Sequence, residues 1–210
     1  MTNYLYLHGF ASSPRSAKAL YLHDRFAEEG IDLQVLDLNG GDFSHLTLTR
    51  QLQQAAQSID STPTTVIGSS FGGLTAAWLG QRHPSLTRLI LLAPAFEFLS
   101  HWLPTLGETQ LRQWRESGSL PIYHFGEGKM LPLHYPFVTD LQQYDEAQLQ
   151  RPVDTLILHG WHDDVIPVRS SRHYAESRPW VDLIELESDH ALGNVLDEMW
   201  TIVHRFLGNL

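Results

Sequence analysis

Apolar positions along the chain fall into two alternating patterns. Short, dense runs of leucine, β-branched and aromatic side chains occupy residues 4–8, 33–38, 64–67, 89–93, 155–159 and 181–186, and each reads as a buried strand. Between them, apolar residues are spaced three and four apart. Ala19, Leu22 and Phe26 form one such stripe, stopped by Gly30, and Leu48, Leu52, Ala55, Ala56 and Ile59 form another. Ser13 followed by Pro14 predicts the cap and first position of the earlier helix. Further helices are predicted over 70–82, near 170–176, and at the end of the chain, where Leu196, Met199, Trp200, Val203, Phe206 and Leu207 share a face. Strand-then-helix repetition predicts a three-layer α/β domain, with a minimal, mostly parallel sheet of about six strands and helices on both faces.

The rhythm breaks between 96 and 152, a stretch too long for a bare loop. Short helices are predicted at 96–103, 108–117 and 138–148, around a Pro/Gly-rich middle at 118–136. The expectation is one domain over 1–210 carrying a helical cap insertion that lies over the active site.

Composition narrows the partners. With 210 residues, of which 42% are hydrophobic, the chain can bury a full core. A net charge of −10 argues against nucleic acid and an anionic membrane surface. The absence of cysteine removes disulfides, thiolate metal sites and a cysteine nucleophile. The first residues lack a basic segment followed by a long apolar one, and no stretch approaches the roughly 20 apolar residues of a membrane span. A cytoplasmic protein is expected.

One strand leads directly into Gly68-Ser69-Ser70-Phe71-Gly72 and then into a helix of small residues. Gly-x-Ser-x-Gly between strand and helix is the pattern of a nucleophile elbow, a turn so tight that positions two before and two after the serine must lack side chains. That register selects Ser70 over Ser69, whose equivalent positions are Ile67 and Phe71. A serine hydroxyl needs a base, usually a histidine oriented by a carboxylate, and here both should follow in the order acid, then histidine. His190 lies beyond the last predicted strand and is the expected base. The acid is one of the adjacent Asp163 and Asp164, with Asp37 a weaker third choice. The backbone N–H groups of Phe71 and Phe10 are expected to form the oxyanion hole, with Ala11 next in line.

Phe96, Trp102 and Trp114 of the insertion, with Ile166 and His8, are the candidates for lining a substrate pocket. The plainer alternatives are that the rings anchor the insertion and that His8 shapes its loop. His159, His162, Asp163 and Asp164 could be read as metal ligands, but helical His-Glu-x-x-His spacing is lacking and a triad already uses an aspartate. No metal and no cofactor is expected.

His8-Gly9-Phe10, Gly68-Ser69-Ser70-Phe71-Gly72, His159-Gly160-x-x-Asp163-x-x-Ile166-Pro167 and Asp189-His190 resemble the four signature sites of the α/β-hydrolase superfamily. The opening stretch from Leu5 to Ala19 resembles, more narrowly, the small bacterial YqiA-like esterases. The resemblance implies a sheet lacking the first two strands of larger relatives, and hydrolysis of carboxylic esters of short or aromatic acyl groups. It also implies Asp163 as the acid, because the matching motif puts the acid three residues after the glycine. A small-molecule ester is the expected partner. Thioesters, lactones and C–C bonds are alternatives on the same triad, and so is a non-catalytic binding module, although such modules usually lose a triad member.

Overall fold

The computed structural model describes residues 2–208; Met1 and residues 209–210, which belong to the expected single domain, lie outside the described residues. The chain runs through β1 (Asn3–Leu7), α1 (Ala17–Glu28), β2 (Leu33–Leu36), α2 (Leu48–Ala56), β3 (Thr64–Ser69), α3 (Phe71–Arg82) and β4 (Leu86–Leu92). It then leaves the sheet through α4 (Phe98–Ser117), β5 (Ser119–His124), β6 (Lys129–His134) and α5 (Pro136–Leu141). It returns in β7 (Asp154–Gly160), α6 (Val168–Glu176), β8 (Val181–Leu186) and α7 (Leu196–Phe206).

Six strands pair in the order β2-β1-β3-β4-β7-β8, every pair parallel. Side chains alternate across this sheet as strand geometry requires. Leu5, Leu7, Val66, Leu91 and Ile157 join one core with α2, α3 and the insertion. Tyr6, Ile67, Ile90, Leu92 and Leu158 join the other with α1 and α7. Both faces are therefore covered, and the carboxyl ends of the strands are left to carry chemistry. Among the described residues no helix is long and apolar enough to cross a membrane.

Two expectations are corrected locally. The first helix is capped by Ser16, whose side chain accepts from the Ala19 N–H, and not by Ser13. Ser13 and Pro14 instead belong to a turn closed by the Ser16 N–H to the Ser13 carbonyl, which carries the chain clear of the strand ends before the helix begins. The middle of the insertion is an antiparallel hairpin, β5 with β6, in which Pro121 faces Pro132. A two-stranded ribbon leaves each strand one open edge, so both prolines can withhold an N–H at no cost to the pairing. The two helices expected over 96–103 and 108–117 are both present within α4, which breaks between them at Gly107 (φ 72°, ψ 160°).

The returning leg of the insertion is tied to its start. Glu146 accepts the Glu97 N–H at 2.9 Å, and burial is the main reason its carboxyl is pushed up to about 7. A carboxyl that titrates near 4.3 when unfolded thus holds its proton to higher pH when folded, so stability falls as pH rises between those values. Glu146→Gln keeps an acceptor for the Glu97 N–H and removes the titration. It is expected to raise the melting temperature by about 2–4 °C at pH 8 and to change it little at pH 5, measured by thermal denaturation.

Candidate active site

Ser70 sits between β3 and α3 at φ 53° and ψ −117°, a conformation that L-residues rarely adopt. Its neighbours hold it there: the Ser70 N–H donates to the Leu92 carbonyl at 2.9 Å, and its own carbonyl accepts from Ala95 at 3.0 Å. A Cβ on Gly68 would meet the Gly72 backbone, and one on Gly72 would meet the Leu7 and His8 carbonyls. The two glycines are demanded by close backbone approach at the elbow, not by a left-handed φ.

His190 follows β8 and Asp163 follows β7, so the two adjacent parallel strands deliver them side by side. The Ser70 Oγ lies 3.0 Å from the His190 Nε2, and the His190 Nδ1 lies 2.7 Å from the Asp163 Oδ2. Asp163 is buried and its carboxylate is fully engaged. Its Oδ1 accepts the backbone N–H groups of Val165 (2.9 Å) and Ile166 (2.7 Å). Its Oδ2 also faces the His159 Nε2 at 3.0 Å. Burial alone would raise this carboxyl, but the hydrogen bonds from His159, His190 and Ile166 outweigh it and hold the group well below the usual carboxylate range. An ionised carboxylate only accepts, so the proton of neutral His190 is on Nδ1 and its Nε2 is free to accept from Ser70.

His159 is the residue here whose part the sequence did not reveal. It is buried, and its Nε2 lies 2.9 Å from the Ile166 carbonyl, so that nitrogen must donate. Its Nδ1 then accepts from the Ser171 hydroxyl at 2.8 Å. The i, i+4 spacing of His159 and Asp163 was the available signal. His162 points elsewhere, to exposed Glu187 at 2.9 Å, and Asp164 is exposed.

The loop after β1 lies against the nucleophile, where a Cβ on Gly9 would come within 3.2 Å of the Ser70 Cβ. Neither the Phe10 nor the Phe71 backbone N–H has a hydrogen-bond partner among the described residues. His8 pins this loop from beneath. Its Nδ1 donates to the Gly9 carbonyl at 2.9 Å, and its Nε2 accepts the Leu38 N–H at 3.0 Å. Burial pushes its imidazole down, which keeps it neutral. From above, the Phe125 N–H of the hairpin donates to the Ala11 carbonyl at 2.8 Å. Ala11 itself has φ 50°.

A cavity of about 310 Å³ opens onto Ser70 and His190, lined also by Gly9, Phe10, Lys18 and Phe125. None of the proposed pocket residues Phe96, Trp102, Trp114, Ile166 and His8 lines it. Phe96 is stacked on Tyr174 of α6 with centroids 4.0 Å apart. Trp114 is buried and donates to the Leu133 carbonyl at 2.8 Å, holding the hairpin to α4. Ile166 is buried and supplies its backbone to Asp163 and His159. Trp102 packs on Phe10 at 5.3 Å, within a set of rings that includes Phe98 and Phe137. Most of these rings anchor the insertion. Phe125, 75% exposed at the hairpin tip, forms the cavity's outer wall instead.

A parallel sheet covered on both faces, with a strained serine at a strand–helix elbow, defines the α/β-hydrolase fold. Solved structures agree. A protein of Agrobacterium vitis S4 superposes with a TM-score of 0.81 at 22% identity, over 98% of this chain and 87% of its own. Est1E from Butyrivibrio proteoclasticus, with ferulic acid bound, gives 0.79 at 19% identity, over 99% and 88%. Mouse alpha/beta hydrolase domain-containing protein 10 gives 0.73 at 19%, over 97% and 90%. The chain belongs to the uncharacterised protein family UPF0227, whose model matches residues 3–207.

Proposed function

We propose that the protein is a serine hydrolase of carboxylic esters of small or apolar acyl groups, acting through an acyl-enzyme on Ser70. The observation that carries this reading is the unbroken relay from the Ser70 Oγ through His190 to Asp163, with links of 3.0 Å and 2.7 Å. In it, the Ser70 Oγ attacks the ester carbonyl carbon as the His190 Nε2 takes its proton. The Phe10 and Phe71 N–H groups stabilise the resulting oxyanion. His190 returns the proton to the departing alkoxide as the C–O bond breaks, and water repeats the sequence to release the acid. Ferulic acid bound to the similar Est1E supports an aromatic acyl group as one class of substrate.

The test is intact-mass analysis after exposure to a fluorophosphonate, followed by peptide mapping and a panel of esters graded by acyl length. A single adduct on Ser70 with ester turnover is expected. Well-folded protein that neither labels nor hydrolyses any ester would sink the reading. Because its donors keep Asp163 ionised, protonation of Asp163 is not expected to limit activity toward acid pH. A general base must be unprotonated to act, so kcat/KM is expected to fall toward acid pH, and a rate still flat at about pH 4 would exclude histidine as the base.

A further inference from the structure

The cavity at Ser70 contains a cation for which the relay has no use. Lys18, in the first turn of α1, lines that cavity together with Ser70, His190, Phe10 and Phe125. Its ammonium donates to the backbone carbonyls of His190 (3.3 Å) and Ala191 (2.9 Å), reaching across from one end of the chain to the other. An ammonium has three donors, so one is left over. Lys18 forms no ion pair among the described residues. The rest of the lining has no carboxylate side chain, although the chain as a whole carries a net charge of −10.

That contrast matters electrostatically. A charge at the wall of a partly enclosed, aromatic-lined cavity is screened far less than one on the surface, and its hydrogen bonds to an anion are correspondingly stronger. Burial brings the Lys18 ammonium down to about 8, while the negative charges of Asp163 and Asp189, neither of them paired with it, pull the other way. It therefore remains mostly protonated at neutral pH. The amino end of α1, beside it, adds the positive pole of a helix.

We propose that Lys18 is a specificity-determining residue that binds a carboxylate on the substrate, so that the preferred esters are short monoesters of dicarboxylic acids. The proposal rests on Ser70 being the nucleophile for the hydrolytic step. Its recognition half concerns binding alone and can be measured separately.

The experiment compares ethyl hydrogen glutarate with ethyl pentanoate, which differ in the terminal carboxylate, on the wild-type protein, Lys18→Met and Lys18→Arg. Acid release is followed at constant pH. The wild type is expected to prefer the charged ester, and Lys18→Met to lower that preference by roughly 10- to 100-fold, with partial retention in Lys18→Arg. Comparing the two esters as a ratio cancels any pH dependence of the relay, which acts on both. The preference should therefore decline as pH rises through about 8, where Lys18 loses its proton. If Lys18→Met slows both esters equally, Lys18 merely positions the His190 loop and the proposal fails. It fails too if the ratio does not change. Calorimetric binding of glutarate to the same three proteins needs no catalysis. If no ester is hydrolysed and Ser70 takes no fluorophosphonate, a glutarate affinity lost in Lys18→Met still upholds the carboxylate site. An equal affinity in the two proteins, or none in the wild type, overturns it.

Discussion

Ser70→Ala is expected to lower kcat/KM for any ester the protein hydrolyses by roughly 10⁴- to 10⁶-fold, and to abolish fluorophosphonate labelling. The size of the loss follows from the geometry, because the hydroxyl is the relay's only link to substrate. His190 and Asp163 can move a proton but cannot form the acyl bond. The folded state should tolerate the change. The strain at φ 53° and ψ −117° belongs to the backbone, held by hydrogen bonds from Ser70 to Leu92 and from Ala95 to Ser70, and alanine inherits it unchanged. Ser70→Gly relieves that strain, and its melting temperature is expected to exceed that of the wild type. A Ser70→Ala protein that is fully folded and keeps more than a tenth of the activity would refute the nucleophile assignment.

Asp163→Asn is expected to cost roughly 10³- to 10⁴-fold in kcat, while Asp164→Asn should stay within about threefold. Asparagine can still accept the Val165 and Ile166 N–H groups through its carbonyl oxygen. Its amide nitrogen is then turned toward His190 and His159, two groups that must themselves donate to it. His190 escapes the conflict by moving its proton to Nε2, where it can no longer accept from Ser70. Exposed Asp164 has no such partners. Steady-state kinetics on the two variants decide the matter, and a larger loss in Asp164→Asn would reverse the assignment of the acid.

The elements that face both sheet layers were legible because burial on two sides leaves little choice of residue. The runs that became β1, β4 and β7 are mostly apolar and that of β3 is β-branched, and the elbow's glycines follow from backbone contact that no other residue permits. Ser70, His190 and the pair Asp163/Asp164 could be singled out because the elbow motif fixes the order of the three groups and places each at the carboxyl end of a strand. Separating the two aspartates needed the family resemblance, because the backbone donors of Val165 and Ile166 exist only once the loop is folded. The hairpin was hidden by Pro121 and Pro132, which read as breakers and are harmless only in a two-stranded ribbon. Aromatic residues in the insertion gave no sign of which would pack inward. Phe96 and Trp114 found internal partners, and Phe125, at a turn, became the cavity wall. Lys18 was obscured because its partners, His190 and Ala191, lie at the opposite end of the chain.

The bond from the Phe125 N–H to the Ala11 carbonyl, beneath Phe10's contacts with Phe98, Trp102 and Phe137, makes the insertion and the loop after β1 a mechanical interlock. A flap attached in this way cannot lift off as a rigid piece while the Phe10 amide stays in register with Ser70. Raising it disarms the site. On the proposed mechanism, trimming the hairpin to widen access would also remove the hydrogen bond that holds the loop after β1, and with it the hold on the Phe10 amide.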